Sequence, residues 1–531
     1  MALARRSARN LRVSLLIVSL SLPFVYGGDL TFSREDCLEK TRNLLTDGLL
    51  ATNDTCFRRD DKGAPYSSLE DPQLTLSGCN KICGPSFGWY KDIGPRLSIW
   101  LIPVFLLLSN MEVSPLDKRR YLMIVHLLGD PIDSLRCLLA KMEAWSRCYY
   151  MALKFYGPNN TRQVRNVATV LGGIEELVGF HTNPMDVYTT IMAQSKLTSP
   201  QFDILVSRTA QQLADSRTDE RLRTIFATTL YIYQLVSAFV TTVGGGGSKT
   251  PPGGRIGITM FMTWIVPSIL LSNAIGGFTS HRTCFCFLES FVQDATTETD
   301  LWSLLQRTSV GLRCHRTIDQ YLDSLAWSGA IYSYRPSKHI PFRSGPRDRS
   351  RYTLLFLSIA PVVISSTIAT LILRNTPPIS FNCRNFLIFG IVAFVFLSAI
   401  LTSLTARLCL KAATHWRVVL VKDALIAMPM VILVFFATSG LFNSCWCWSG
   451  VYAFGELAHV PLNTLPQFSY YNKTIYPILV AVCLALQVLV FAAMMWIGWG
   501  GWITMRWSEE DKKLEWMECR QRARNGSLKT T

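Results

Sequence analysis

Long apolar windows without charged side chains dominate the hydropathy pattern of this chain. Six of them run for about nineteen residues or more, the length at which a helix crosses a hydrocarbon core of roughly 30 Å. Because a single segment can satisfy its backbone hydrogen bonds in lipid only as a helix, the windows predict an all-α integral membrane protein. The six windows are 224–243, 256–278, 352–373, 386–406, 424–442 and 475–498.

A shorter apolar stretch at 95–112 is predicted as an additional span with charged residues at its ends. When it is counted, the Lys-rich and Arg-rich loops fall on one side, as the positive-inside rule requires, whereas omitting it inverts every loop. The sequence therefore predicts seven spans, with the N-terminus outside and the C-terminus inside. The cytosolic segments are then 113–223, 279–351, 407–423 and 499–531, and the outer segments are 244–255, which is glycine-rich, 374–385 and 443–474.

Residues 1–27 have a basic start, about ten apolar residues and small residues before Gly28, which predicts a cleaved secretory signal peptide, with an uncleaved anchor helix as the alternative. Segment 28–94 then lies in an oxidising compartment and is too short to build a large core. Two disulfides are expected there, and three pairings are open. The four cysteines are Cys37, Cys56, Cys79 and Cys83.

Three further cysteines lie on the predicted outer side. A bridge from Cys383 to Cys445 or Cys447 is expected to tie two helical hairpins together, which leaves one outer cysteine unpaired. Glycosylation sequons on the same side make Asn53 and Asn472 the candidate acceptors.

The cytosolic segment 113–223 is predicted to be helical. Asp130 is suited to cap a helix and Pro131 to occupy its first turn. Two apolar stripes at helical spacing favour a small bundle under the membrane, with a groove for a cytosolic protein partner as the alternative. The stripes are Leu135, Leu138, Leu139, Met142, Trp145, Tyr149 and Ala152, then Phe202, Leu205, Val206, Ala210 and Leu213. Glu175 and Glu176 are expected on a solvated helix face.

Other candidate sites are few. Cys284 and Cys286 follow a membrane exit and are candidates for palmitoylation, with simple packing as the alternative. The net charge of +16 is explained by cationic loops that attract anionic lipid at the cytosolic face, so no nucleic-acid partner is expected. Catalytic, metal and cofactor motifs are missing from the sequence, which predicts a protein that is not an enzyme and needs no cofactor.

The predicted spans contain no ionisable residues between their ends. Lys422 and Asp423 precede the sixth predicted span and are expected to anchor its end at the interface. A proton- or ion-coupled transporter normally keeps ionisable groups inside its helices, so their absence favours a non-enzymatic receptor-like or scaffolding protein. The alternative is a transporter or channel for an uncharged or lipid-like solute, with a polar path along Gln234, Asn273 and Gln487.

Four strings carry a resemblance: 79–84 (CNKICG), 129–134 (GDPIDS), 253–257 (GGRIG) and 271–278 (LSNAIGGF). In this combination the chain resembles a group of multi-spanning membrane proteins of filamentous ascomycete fungi. The resemblance implies a fungal source and a topology, and it carries no activity and no site residue. We expect a multi-pass protein of the secretory pathway, in the plasma membrane rather than an internal membrane.

Overall fold

The protein is described from a computed structural model. The predicted signal peptide lies outside the described residues, as do most of the predicted spans at 95–112 and 224–243. The structure describes residues 34–51, 54–60, 63–84, 120–178, 182–216, 253–275, 281–296, 300–308, 317–325, 351–376, 379–408, 412–440, 442–463 and 470–501, with isolated residues between 93 and 108, between 225 and 233, and at 332, 410, 507 and 517.

The described secondary structure is almost entirely helical. Its elements in chain order are α1 (Arg34–Thr46), β1 (Gln73–Thr75), α2 (Leu76–Cys83), α3 (Arg120–Gly129), α4 (Pro131–Tyr156), α5 (Thr161–Val178), α6 (Pro184–Gln194), α7 (Ser199–Asp215), α8 (Gly253–Phe261), α9 (Ile265–Ile275), α10 (His281–Ala295), α11 (Leu301–Thr308), α12 (Ile318–Leu325), α13 (Arg351–Arg374), α14 (Cys383–Thr405), α15 (Ala412–Ser439), α16 (Cys445–Trp448), α17 (Val451–Phe454), β2 (His459–Pro461) and α18 (Tyr476–Ile497).

Five helical stretches of the described residues are long and apolar enough to cross a membrane. They coincide with five of the predicted windows, which confirms a helical protein with five candidate membrane-spanning helices. The five are Ile256–Ile275, Tyr352–Arg374, Cys383–Leu408, Thr414–Ser439 and Lys473–Ile497.

The first of these stretches is interrupted within its length. A single 3₁₀ turn, Met262–Trp264, separates α8 from α9 and comes just before Pro267. Proline has no N–H to donate, and its ring crowds the carbonyl four residues earlier, so the regular α-helical pattern is interrupted there. A neighbouring contact shows how closely α8 approaches α13, because a Cβ atom on Gly257 would lie 2.8 Å from Leu373.

Helices α4, α5, α7 and α10 form a bundle against one end of these stretches. The side chains of both apolar stripes are buried except the partly exposed Tyr149, which confirms the prediction of a helical bundle. Trp145 lies against Gly172 of α5, and the backbone N–H of Gly501, just past α18, donates to the Ser146 hydroxyl at 2.9 Å. The bundle therefore closes over the end of α18.

The paired carboxylates of α5 are buried in this bundle, so their expected place on a solvated face was wrong. Helix α5 is covered on several sides, and each carboxylate needs a cationic partner. Glu175 bonds Arg147 at 3.1 Å, while Glu176 bonds Lys141 at 3.0 Å and lies 3.2 Å from His281. Burial raises the pKa of Glu176, but Lys141 and the hydrogen bond with His281 lower it more, so this pKa lies well below its ordinary value.

The opposite end carries a small domain, residues 34–84 together with 442–463, which we call the outer domain after the side that the sequence predicts for it. Strand β1 pairs with β2, with Leu74 opposite Val460. Three disulfides stabilise this end: Cys37–Cys83, Cys79–Cys445 and Cys383–Cys447. The two bridges expected within 28–94 are thus replaced by one such bridge and one to the later loop, because α2 packs against α16. The unpaired outer cysteine is Cys56, which is buried as a free thiol.

A histidine joins the two parts of the outer domain. His459 accepts a hydrogen bond at Nε2 from the Arg58 guanidinium at 2.9 Å, and its Nδ1–H donates to the Leu457 carbonyl at 3.1 Å. Burial lowers the pKa of His459, and the charge of Arg58 lowers it further against the opposing effect of the Leu457 carbonyl.

Acidification is expected to loosen this junction. Protonated His459 would repel Arg58, so its contribution to stability is complete above its ordinary pKa of 6.5 and is lost as the pH falls toward the lower folded-state pKa. Hydrogen exchange at Leu74 and Val460, corrected for the intrinsic rate, should speed up in acid. In His459→Gln, whose amide oxygen accepts from Arg58 at every pH, this change should vanish; an unchanged pH dependence would contradict the assignment.

Candidate functional site

Lys422 and Asp423 lie inside a membrane-spanning helix, so their expected place at a helix end was wrong. Helix α15 begins ten residues earlier, at Ala412, and the candidate span Thr414–Ser439 includes both residues. The Asp423 side chain is fully buried and that of Lys422 is 10% exposed. Ionisable side chains are therefore present within the spans, contrary to the prediction.

Helix α3 brings the partners of these residues against α15. At Gly129 a Cβ atom would lie 2.6 Å from the carbonyl oxygen of Asp423, so only glycine permits this approach. The next residue, Asp130, caps α4 as predicted, accepting the Asp133 N–H at 3.0 Å, and Pro131 occupies the first turn. The second oxygen of Asp130 remains directed at α14 and α15.

The resulting ion cluster consists of His126, Asp130, Lys422 and Asp423. The Lys422 ammonium donates to Asp130 Oδ2 at 2.9 Å and contacts Asp423 Oδ1 at 2.8 Å. His126 Nδ1 bonds the other Asp423 oxygen at 2.6 Å. The Thr402 hydroxyl of α14 donates to Asp130 Oδ2 at 2.6 Å. Four elements, α3, α4, α14 and α15, thus meet at one hydrogen-bonded group of charges.

The charge of the cluster depends on His126. Two carboxylates and one ammonium leave one negative charge, which an imidazolium would neutralise. Burial lowers the pKa of His126, but the hydrogen bond to Asp423 and the carboxylates of Asp133 and Asp130 outweigh it and raise that pKa above its ordinary value. His126 Nε2 has no hydrogen-bond partner among the described residues and lies 3.9 Å from Asp133 Oδ2.

An aromatic wall closes the side of His126. Its ring meets Tyr332 and Trp416 edge-on, with centroids 5.5 Å and 5.9 Å away. Tyr332 packs on Trp416 at 4.4 Å and hydrogen-bonds His415 Nδ1. The wall keeps the histidine away from water, which strengthens its interaction with Asp423.

A cavity of about 30 Å³ lies beside the ion cluster. Its walls are apolar and include Val395, one turn before Ser398 on α14, and Ala427, one turn after Asp423 on α15. Leu128 and Pro131, which flank Asp130, complete that side. A cavity with such walls excludes water and suits an apolar group.

The polar residues predicted to line a solute path do not line this cavity among the described residues. Gln487 of α18 donates to the Pro361 carbonyl of α13 at 2.9 Å, and Asn273 donates to Ile269 within its own helix. Gln234 lies outside the described residues. The described charges that meet a candidate span away from its ends are those of the cluster at α3, α4, α14 and α15.

The candidate modification sites differ in access. Cys284 is buried, with its thiol donating to the Gly173 carbonyl, which argues against its lipidation, while Cys286 is exposed. Asn472 lies in the π-helical turn Tyr471–Ile475 that leads into α18, and Asn53 lies outside the described residues.

Three sulfur atoms in the outer domain have the spacing of metal ligands. Those of Cys37, Cys79 and Cys83 lie within 4.8 Å of one another. Each belongs to a disulfide, and a disulfide sulfur lacks the thiolate that binds a metal ion. This group therefore serves to link the outer domain.

Fold and cluster together define a helical, disulfide-linked protein of the membrane-spanning class with charges buried between its helices. Comparisons with family models, curated proteins and solved structures find no match. The resemblance to fungal membrane proteins remains a prediction.

Proposed function

We propose that this protein is an ion-coupled transporter for an uncharged or lipid-like solute. The observation that supports it is the buried cluster of His126, Asp130, Lys422 and Asp423. Ionisable groups within membrane-spanning helices are costly, and they mark ion or substrate pathways more often than they stabilise a fold. Spans without ionisable groups would speak against ion coupling, but Lys422 and Asp423 both lie within the candidate span Thr414–Ser439.

The cluster couples ion binding to helix packing. When His126 loses its proton, the carboxylate of Asp423 loses a cationic partner and the cluster gains a net negative charge. This change weakens the contact of α3 with α15 and favours their separation. The apolar cavity lies between the same helices, so its opening would follow the same movement.

The cavity supports the class of solute. Its walls offer few polar groups, so hydrophobic contact rather than charge would hold an occupant. The volume as it stands is small, which fits a closed state that widens when the helices separate.

Charge movement in the absence of any solute tests this function. The full chain, reconstituted in liposomes on a solid-supported membrane, should give a transient current after a pH jump, because His126 exchanges a proton within the membrane field. Asp423→Asn should reduce that current by about tenfold, since it removes the negative charge that helps to hold the proton on His126.

The matched control is Asp319→Asn. Asp319 forms an ion pair with Arg282 at 3.5 Å, and both side chains are exposed. Asp319 is not a member of the ion cluster, so its replacement should leave the current unchanged. A wild-type protein that gives no current, or an Asp423→Asn variant that matches it, would rule out ion coupling at this cluster.

A receptor-like scaffold is the second candidate. It is favoured by the disulfide from Cys79 to Cys445, which fixes the outer domain to the loop that follows α15. Under that function the cluster would only hold the cytosolic bundle in place. A current that depends on Asp423 separates the two functions.

We further propose the arrangement in which this function operates: a signal peptide, seven spans, an outer N-terminus and a plasma-membrane location. The disulfides support an oxidising environment for the outer domain, and the meeting of 34–84, Cys383 and 442–463 at one end supports their common side. Glycosylation, anionic lipid and a cytosolic partner protein belong to the same proposal.

A further inference from the structure

The ammonium of Lys422 sits in a cage of oxygen atoms. The cage has members from α14, α15 and the start of α4, so it closes only when these elements are packed. Its five oxygens, with their distances to Nζ, are Thr402 Oγ1 at 2.6 Å, Ser398 Oγ at 2.7 Å, Asp423 Oδ1 at 2.8 Å, Asp130 Oδ2 at 2.9 Å and the Ser398 carbonyl at 3.1 Å.

Five oxygens exceed what an ammonium can use. A lysine side chain has three N–H donors, so two of the five contacts lack a proton. The hydroxyl of Thr402 donates its proton to Asp130 Oδ2, so the lone pairs of the Thr402 oxygen are left to face Lys422 Nζ. A spherical cation in the same place would bind all five oxygens at once.

The cage has the dimensions of a potassium-sized ion. Four of its five contacts, at 2.7–3.1 Å, are longer than the ~2.3–2.6 Å typical of Ca²⁺, and all five are longer than the ~2.0–2.1 Å typical of Mg²⁺. Ammonium and potassium ions have nearly the same radius, and oxygen rings of this kind replace the hydration shell of K⁺. One monovalent cation would also reproduce the charge that Lys422 now supplies to Asp130 and Asp423.

Lys422 is the member that can leave. Its side chain is long and 10% exposed, whereas those of Asp130 and Asp423 are fully buried. His126 bonds the other oxygen of Asp423, Oδ2, at 2.6 Å, so this carboxylate stays in place when the ammonium leaves.

We propose that this cage is a binding site for a potassium-sized monovalent cation, which exchanges with the ammonium of Lys422. The proposal rests on the proposed function, since it names an ion that the transporter would use, but binding can be measured without transport. The exchange breaks no covalent bond: one cation enters as the ammonium moves toward the membrane surface.

Binding of ⁸⁶Rb⁺ to the purified full chain tests the exchange. Wild-type protein should bind it saturably, with competition by K⁺ and none by choline or Ca²⁺. Lys422→Ala removes the built-in competitor and should raise the Rb⁺ affinity at least about tenfold. Adding Asp130→Asn to Lys422→Ala should abolish the gain.

A variant that leaves every charge in place distinguishes weaker ion binding from misfolding. Thr402→Val has nearly the same shape, keeps Lys422 and both carboxylates, and removes one of the five oxygens, so Rb⁺ should bind about tenfold more weakly. Thr405→Val on the same helix is the control, because its hydroxyl bonds the Thr402 carbonyl outside the cage, and it should bind as wild type does.

The outcomes separate this inference from the proposed function. Absence of Rb⁺ binding in the wild type, binding by Lys422→Ala alone, or displacement by Ca²⁺ would each overturn the exchange. If the protein gives a pH-driven current but binds no Rb⁺, the result would support ion coupling and contradict the monovalent-cation site. If the protein binds Rb⁺ but gives no current, the result would support the cation site and contradict coupled transport.

Discussion

Replacement of Asp423 by leucine is expected to destabilise the protein by about 3–5 kcal/mol, because it leaves buried charge without its partner. The Lys422 ammonium would lose one of its two carboxylates and His126 its hydrogen-bond acceptor, both in a site that water does not reach. The free energy of unfolding, followed by tryptophan fluorescence in detergent, measures the loss.

A second change should recover part of this loss. With His126→Leu added to Asp423→Leu, the imidazole that lost its acceptor is gone and Lys422 still pairs with Asp130, so the double variant should be more stable than Asp423→Leu alone. Asp319→Leu, which breaks only the exposed pair with Arg282, should cost less than about 1 kcal/mol. If Asp423→Leu were equally mild, the carboxylate would not be buried in an ion pair.

Much of the helical framework could be predicted from the sequence, because the signals are local. Apolar windows predicted five helices long enough to cross a membrane, and residues spaced three or four apart on α4 and α7 predicted the buried faces of the helical bundle. The cap at Asp130 was predictable for the same reason, since it depends on neighbouring residues only.

The ion cluster could not be predicted, because it joins residues that are distant in the chain. His126 and Asp423 are 297 positions apart, and Asp130 and Lys422 are 292 apart. A local signal in the sequence was available for two of its members, Lys422 and Asp423. The residues before Lys422 are mostly apolar, so α15 could have been extended back toward Thr414, which would have placed Lys422 and Asp423 inside the helix.

The buried pair Glu175 and Glu176 shows a second limit. Two adjacent carboxylates on an amphipathic helix suggest one solvent-exposed face, but α5 is surrounded by α4, α7 and α10. The number of helices that pack around a helix follows from the fold as a whole and leaves no trace in a local pattern. The disulfide pairing is the same kind of problem, since Cys79 and Cys445 are separated by 366 positions.

Loss of that long-range disulfide is expected to open the outer domain. Replacing Cys79 and Cys445 together by serine removes the covalent link between α2 and α16, and removal of a native disulfide costs about 2–5 kcal/mol. Strands β1 and β2, each three residues long, would then have to hold the two parts together, and a pairing of that size is marginal in water.

Cys56 provides the measurement. Its thiol is free and buried in the outer domain, and it reacts with a maleimide only when the domain opens. A loss of about 2–5 kcal/mol should speed that reaction by roughly 30-fold or more, as read by mass spectrometry of the peptide that contains Cys56.

The paired control is the replacement of Cys383 and Cys447 by serine. That disulfide ties α14 to α16 and does not reach α2, so the strands β1 and β2 and the Cys79–Cys445 bridge still protect Cys56. Its labelling rate should rise much less. Equal protection in both double variants would mean that packing of the outer domain core, which includes Phe57 and Leu74, holds the domain closed without the long-range bridge.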